Sequence, residues 1–332
     1  MQHLLQDVDA RLDHSDMQHL KSPPRVVPAL ASNIDFSFEH HQNSTTNYCQ
    51  TSFDASYGVH WVWLNEDCPV KFTPGLLKEL RLIQESCAER IQNDLDSQTT
   101  ERMRYQVIGS KIPGIFSLGG DLALFREKIS AGDANSLRTY ARNAVDLVYL
   151  NAVNYEQPVT TITLLQGQAM GGGFEAAMAA NVIIAERQCK LGFPEIMFNM
   201  FPGMGAYQLL TRRLSPREAE QLILSGKTYT AEELFSLGLI DVLAEEGEGE
   251  EAVLRYIRNH DRRSNGMNGF RRALQTAKPL DRLELYRMVD VWVETALALN
   301  ERDLSIIEYL LRAQQRMQSQ THNPESFQVQ QI

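Results

Sequence analysis

The sequence predicts an α/β protein with a purely helical C-terminal part, and three observations predict it. Short apolar or alternating runs take turns with stretches of helical periodicity as far as about residue 245. Glycine clusters stand at joints between the two kinds of segment, where the chain must turn sharply. Beyond about residue 251 only the helical period remains.

Taken in order, residues 1–33 read as an N-terminal arm and linker, because the paired prolines of SPPRVVPALASN interrupt any helix begun by QDVDARLDHSDMQHL. The α/β core is expected over 34–245. Within it IDFSFEH and YGVHWVWLN alternate as half-buried strands do, with the polar HQNSTTN between them as a loop. PGLLKELRLIQESCAERIQNDL places Leu76, Leu77, Leu80, Leu82, Ile83 and Cys87 on one helical face, and Pro74 suits a helix start because its missing N–H would be unpaired there anyway. YQVIGS reads as a strand and IPGIFSLGGD as a turn-rich segment. A short helix after Asp121 and a longer one over 134–153 follow. Pro158 then opens VTTITLLQGQAM, read as one buried strand that Gly171, Gly172 and Gly173 break. FEAAMAA has the alanine-rich composition of a tightly packed helix, VIIA is a short buried strand, and helices are expected over 204–213, 215–225 and 230–237. EEGEGEE at 245–251 reads as an acidic, flexible tract. A helical region over 246–318 contains one long segment from about 280 to 317, with MVDVWVETALAL and LSIIEYLLRA as its apolar stripes, and 319–332 reads as a flexible tail.

The 332 residues carry 32 basic against 42 acidic side chains, a net charge of −10, and 43% hydrophobic content. That acidity excludes a dedicated nucleic-acid binder, whose affinity comes from clustered positive charge. No run approaches the roughly 18 apolar residues of a membrane span, and the polar first residues carry three acids before position 14 where a signal peptide would be basic and then apolar. A cytoplasmic protein is expected. Cys49, Cys68, Cys87 and Cys189 lie far apart without a CxxC pair, which argues against a zinc site and a disulfide framework. No histidine falls between His60 and His260, and the early pair His40 and His41 reads as a solvated turn rather than a metal site. Chemistry carried by the middle of the chain therefore has no local His base or ligand.

Glu175 is the only charge between Gln157 and Ala185. Desolvation in such a setting raises a carboxyl pKa towards neutrality, which suits proton exchange, although a helix-start acid that merely favours the macrodipole has the same signature. The three glycines before it allow a ligand to approach backbone N–H groups at a helix start. SLGGD at 117–121 is a second such turn, and two turns that each offer an N–H to one oxygen would stabilise an oxyanion developing from a thioester. Neither turn has the spacing of a phosphate-binding loop. Glu195, in LGFPEIMFNMFPGMG, is the only charge between Lys190 and Arg212. Two isolated carboxylates beside an oxyanion hole suit removal of a proton next to a carbonyl together with protonation of a β leaving group.

SLGGD, GQAMGGGFEAA, GFPEI, FPGMGAYQLL and SGKTYTAEELFSLGLIDVL resemble, in order and spacing over about residues 55–315, the enoyl-CoA hydratase (crotonase) superfamily. FSLGGDLALF and GGGFEAAMAANVIIAE are most similar to the diffusible signal factor synthases within it. The resemblance implies a ClpP/crotonase-like fold, a spiral of repeated ββα units with a helical C-terminal region, assembled as a trimer or hexamer. It implies dehydration of a 3-hydroxyacyl thioester to a cis-2-enoyl thioester, followed by hydrolysis to a free fatty acid that serves as a quorum-sensing signal. Glu175 and Glu195 become the catalytic pair, and Leu118 and Gly172 the backbone donors of the oxyanion hole. Gly119, Gly120 and Gly171 shape the turns around the substrate. Met170, Phe198, Met204, Trp292 and Leu310 become its apolar slot, with Met197, Met200 and Phe201 as further candidates whose simplest reading is plain core. No metal or redox cofactor is implied, since the substrate arrives on the phosphopantetheine of acyl carrier protein or on CoA. The implied partners are that carrier protein and the receiver domain of a sensor kinase; RNHDRRSNGMNGFRR at 258–272, read first as a solvated helix face, is the densest basic patch for an acidic carrier. The rival functions are a plain enoyl-CoA hydratase of β-oxidation and a catalytically idle binding partner.

Overall fold

The computed structural model describes residues 43–321. Its strands are β1 (Asn43–Thr45), β2 (Cys49–Asp54), β3 (Val59–Leu64), β4 (Tyr105–Ser110), β5 (Ile115–Ser117), β6 (Thr160–Leu165), β7 (Gln168–Met170), β8 (Val182–Glu186), β9 (Lys190–Gly192), β10 (Thr228–Thr230) and β11 (Val242–Ala244). Seven form a mixed sheet in the order β1-β2-β3-β4-β6-β8-β11, antiparallel through β3 and parallel thereafter. The other four form a smaller sheet, β10-β9-β7-β5, parallel except for β10. The helices are α1 (Pro74–Asp96), α2 (Leu122–Ser130), α3 (Ala134–Ala152), α4 (Gly172–Met178), α5 (Ala206–Leu210), α6 (Pro216–Leu224), α7 (Ala231–Ser236), α8 (Gly249–Asp261), α9 (Ser264–Ala277), α10 (Arg282–Leu297) and α11 (Glu301–Thr321). Among the described residues no helix is long and apolar enough to cross a membrane.

Burial explains the strand compositions. The large sheet is covered on both faces: Val59, Trp61, Val107, Ile162 and Ile184 pack with Val253 and Ile257 of α8, while Val62, Leu64 and Ile183 join the core that holds α1 and α4. Every residue of β6 is therefore buried, and TTITLL reads as an unbroken run instead of alternating. Each fully buried Leu or Ile contributes roughly 1.5–3 kcal/mol relative to exposure. Helix α1 starts where expected because Thr73 accepts the Leu76 N–H at 3.2 Å and Pro74 needs no acceptor. A further cluster joins α2 and α3 to α10 and α11 through Leu137, Val145, Leu285, Val289 and Ile307.

Several expectations are corrected. VTTITLLQGQAM is two strands in different sheets, joined across Gln166 and Gly167, where any side chain would collide with the Gly114 backbone. IPGIFSLGGD contains the short strand β5, and Asn43–Thr45 of the supposed loop HQNSTTN pairs with β2. The long C-terminal helical segment is broken at Asn300, whose Oδ1 accepts the N–H groups of Arg302 and Asp303 while its own N–H donates to Asp303 Oδ2. Helix α8 begins inside EEGEGEE because Glu186 Oε1 accepts the Gly249 N–H at 3.0 Å, and α11 continues to Thr321, past the start of the expected tail. The arm at 1–33, the strand IDFSFEH, and His40 and His41 lie outside the described residues.

Candidate active site

The site is assembled from two glycine turns that touch. After β5, the Leu118 N–H donates to Val70 O at 2.6 Å. The Gly119 carbonyl then accepts the Phe72 N–H at 2.8 Å. A trans peptide points its C=O and N–H in opposite directions, so this bond turns the Gly120 N–H away from Phe72, on the side where Gly120 lines a cavity. The second turn follows β7. Gly171, at φ +52°, accepts the N–H groups of Phe174 (2.9 Å) and Glu175 (3.0 Å) on its carbonyl, which turns the Gly172 N–H outward from α4. A side chain on Gly119 (φ +86°) would lie 3.0 Å from Gly172 N, so only glycine lets the turns meet. Within the described residues neither the Gly120 nor the Gly172 N–H has a partner. This corrects one member of the expected donor pair: the Leu118 N–H is committed to Val70, whereas the Gly172 N–H and the neighbouring Gly120 N–H are both unspent.

The two carboxyls flank these turns. Glu175, in the first turn of α4 and 1% exposed, accepts the N–H groups of Met204 (2.7 Å) and Ala206 (2.9 Å) on Oε1. Burial pushes it up to about 8 against those two donors, which favour the ionised form. Glu195 opens a short turn, Glu195–Phe198, and lies against Gly171, where any side chain would strike its carboxylate. Its Oε2 is buried without a partner, and burial, then the neighbouring Glu175, pushes it well above the ordinary carboxyl range. Two such groups cannot both ionise near neutrality, and the two backbone donors make Glu175 the first to lose its proton.

Both carboxyls and both turns open on one cavity of about 260 Å³. Leu118, Met170, Gly171, Phe198, Met204, Trp292 and Leu310 line it, together with Met200. The Trp292 ring meets Phe125 edge-on with centroids 5.1 Å apart, and Phe125 meets Tyr140 at 5.3 Å, which closes this wall with aromatic faces. Met197 and Phe201 are not brought to the cavity: Met197 is 62% exposed because its turn rotates it outward, and Phe201 packs beside the α10–α11 cluster. Gly119 acts through its backbone behind the wall. Tyr140, Gln168 and Gln314 were not anticipated. Each sits in a helical or polar stretch without a distinguishing pattern.

The described cysteines are buried free thiols, and burial pushes Cys189 up to about 12, which leaves no thiolate nucleophile there. No three His, Cys, Asp or Glu side chains gather as a metal site would require among the described residues.

The family model described as enoyl-CoA hydratase/isomerase matches residues 82–316. Human mitochondrial methylglutaconyl-CoA hydratase is 31% identical over 159 residues, 48% of this chain and 44% of that protein. The peroxisomal bifunctional enzyme of Cavia porcellus is 34% identical over 152 residues, covering 45% of this chain and 20% of its own length. The chain thus spans about half the length, or less, of these curated relatives. Among solved structures, an enoyl-CoA hydratase/isomerase from Xanthobacter autotrophicus Py2 superposes with a TM-score of 0.64 at 18% identity, covering 85% of this chain and 99% of that one. DspI of Pseudomonas aeruginosa superposes at 0.54 and 21% identity, covering 74% and 96%. The fold is that of the crotonases, and the chain belongs to the enoyl-CoA hydratase/isomerase family.

Proposed function

We propose that the protein dehydrates a 3-hydroxyacyl thioester to the cis-2-enoyl thioester and then hydrolyses the thioester to the free acid, in the manner of the diffusible signal factor synthases that its motifs resemble. One observation carries the dehydration: two buried carboxyls of unequal basicity stand beside two unpartnered N–H groups at an apolar cavity. In the minor form of the singly ionised pair, with the charge on Glu195 and the proton on Glu175, Glu195 is the stronger base and removes the proton from the α-carbon. The electron pair moves onto the thioester oxygen, held by the Gly120 and Gly172 N–H groups. As the pair returns to form the double bond, the bond to the 3-hydroxyl breaks and Glu175, the stronger acid, protonates the departing oxygen to give water. The step ends with the proton on Glu195 and the charge on Glu175, the distribution the surrounding hydrogen bonds favour. Hydrolysis follows when ionised Glu175 takes a proton from water, the oxygen attacks the carbonyl, and the C–S bond breaks to release a thiolate, which takes the proton held by Glu195 and returns the pair to its starting charge.

The apolar walls support a fatty acyl chain, carried on acyl carrier protein or CoA, and these steps draw on no metal or redox cofactor. The same reading proposes a trimer or hexamer in the cytoplasm and restraint by a sensor-kinase receiver domain. Arg271 turns inward onto Thr160 (2.7 Å) and Tyr256 (3.1 Å), which leaves Arg262, Arg263 and Arg272 exposed for an acidic carrier. The names of the hydratase relatives favour a second reading, reversible water addition to an enoyl-CoA. Incubating the protein with 3-hydroxydodecanoyl thioester, on carrier protein and separately on CoA, and identifying the products by mass spectrometry separates the two. Free cis-2-dodecenoic acid supports the synthase; a trans-2-enoyl product that stays esterified replaces it with the hydratase.

A further inference from the structure

Helix α11 lays one apolar stripe along the cavity: Ile307, Leu310, Ala313 and Met317. Gln314 is the one polar residue of that stripe, 7% exposed. Its Nε2 spends both hydrogens on the oxyanion turn, donating to Leu118 O at 3.1 Å and Gly120 O at 3.2 Å. Those two carbonyls fix the orientation of the amide, because a flipped group would set oxygen against oxygen. The remaining atom, Oε1, is buried and has no partner. A buried amide oxygen is rarely left unpaired, and here it stands beside the turn that holds the reacting carbonyl.

We propose that Gln314 is a substrate-binding residue whose Oε1 accepts a hydrogen bond from the 3-hydroxyl of the acyl chain. This rests on the function proposed above and names the group that tells a hydroxyacyl chain from a saturated one. The argument is one of chemistry and place. Oε1 can only accept, the wall around it is apolar, and the acyl part of a 3-hydroxyacyl thioester has a single donor, its hydroxyl. The amide N–H groups of pantetheine, the other donors on the molecule, lie beyond the sulfur.

The test compares 3-hydroxydodecanoyl-CoA with dodecanoyl-CoA by titration calorimetry in a Glu175→Gln background, which blocks turnover and retains an acceptor for the Met204 and Ala206 N–H groups. The Gln314 protein is expected to bind the hydroxylated chain about five- to tenfold more tightly, the worth of one net hydrogen bond. Gln314→Met should abolish that ratio, whatever it does to both ligands together through the loosened turn. A ratio unchanged in Gln314→Met, or absent from the Gln314 protein, overturns the assignment; an equal loss for both chains moves the residue to a purely supporting role and overturns it as well. Turnover of 3-hydroxydodecanoyl-CoA by the unaltered protein is scored separately. No product together with a preference lost in Gln314→Met removes dehydration and keeps Gln314, whereas product together with an unchanged preference removes Gln314 alone.

Discussion

Two of the buried polar clusters among the described residues differ in whether their atoms are paired. Where β4 and β6 meet α8 and α9, the Tyr105 hydroxyl donates to Asp261 (2.6 Å), His260 Nδ1 lies 2.7 Å from that same hydroxyl, and Arg271 donates to Thr160 and faces His260 Nε2 at 3.1 Å. With the tyrosine proton committed to Asp261, Nδ1–H donates to the hydroxyl and Nε2 accepts from Arg271. His260 is therefore neutral, and burial and then Arg271 hold it down at about 4. No buried atom of this junction lacks a partner, whereas at the cavity Glu195 Oε2 and Gln314 Oε1 both do. The contrast teaches that a saturated network has its whole capacity spent on the fold. An unsaturated one keeps donors, acceptors and protons for something that enters.

The largest effects that would break this contrast concern the carboxyls. Glu175→Ala and Glu195→Ala should each leave a folded protein with dehydration lowered about two to four orders of magnitude, measured as initial rate; near-normal turnover in either would remove that residue from the mechanism. Next comes the corrected oxyanion donor. A methyl group on Gly120 would stand 2.6 Å from the Phe125 ring and push the turn aside, so Gly120→Ala should lower kcat about 100-fold. Leu118→Ala, which leaves the backbone bond to Val70 in place, should change kcat little. Turnover unchanged in Gly120→Ala would remove Gly120 as a donor site.

The pH dependence sharpens the comparison further. Glu175 has a folded-state pKa of about 8, above its ordinary 4.5, so the folded protein holds a proton that the unfolded chain releases in between. Stability is therefore lost as pH rises from about 4.5 to about 8. Glu175→Gln should remove the share of this slope that Glu175 carries, leaving that of Glu195, and be more stable at pH 8 by roughly 2–4 kcal/mol in urea titrations. Activity should move the other way, with kcat/KM rising towards pH 8 as the pair loses its first proton. The smallest effect belongs to the saturated junction: Tyr105→Phe should cost about 1–3 kcal/mol of stability, by leaving His260 and Asp261 short of a partner, with kcat unchanged. A loss of activity without a loss of stability would place that junction in the catalytic machinery.

Much of this was legible in the sequence because the signals were local. Glu175 and Glu195 stood out as single charges in long uncharged runs, and a charge in that setting must be buried or used. The glycine turns were visible for the same reason. What escaped depended on pairing at a distance. Whether Leu118 or Gly120 offers the free N–H is decided by Val70 and Phe72, nearly fifty positions earlier. The split of VTTITLLQGQAM between two sheets follows from a backbone crossing at Gly167, which composition does not reveal. Gln314 sits in RAQQRMQSQ, where every glutamine suits a solvated helix face until α11 packs across the glycine turn. Met197 misled in the opposite sense, since an apolar side chain on a tight turn can be rotated outward.

The most direct test of the division of labour between the carboxyls is deuterium uptake at the α-carbon of dodecanoyl-CoA, which lacks a leaving group, in heavy water and followed by mass spectrometry. The account predicts exchange by the unaltered protein and by Glu175→Gln, and none by Glu195→Gln. Exchange that survives in Glu195→Gln and disappears in Glu175→Gln would contradict it.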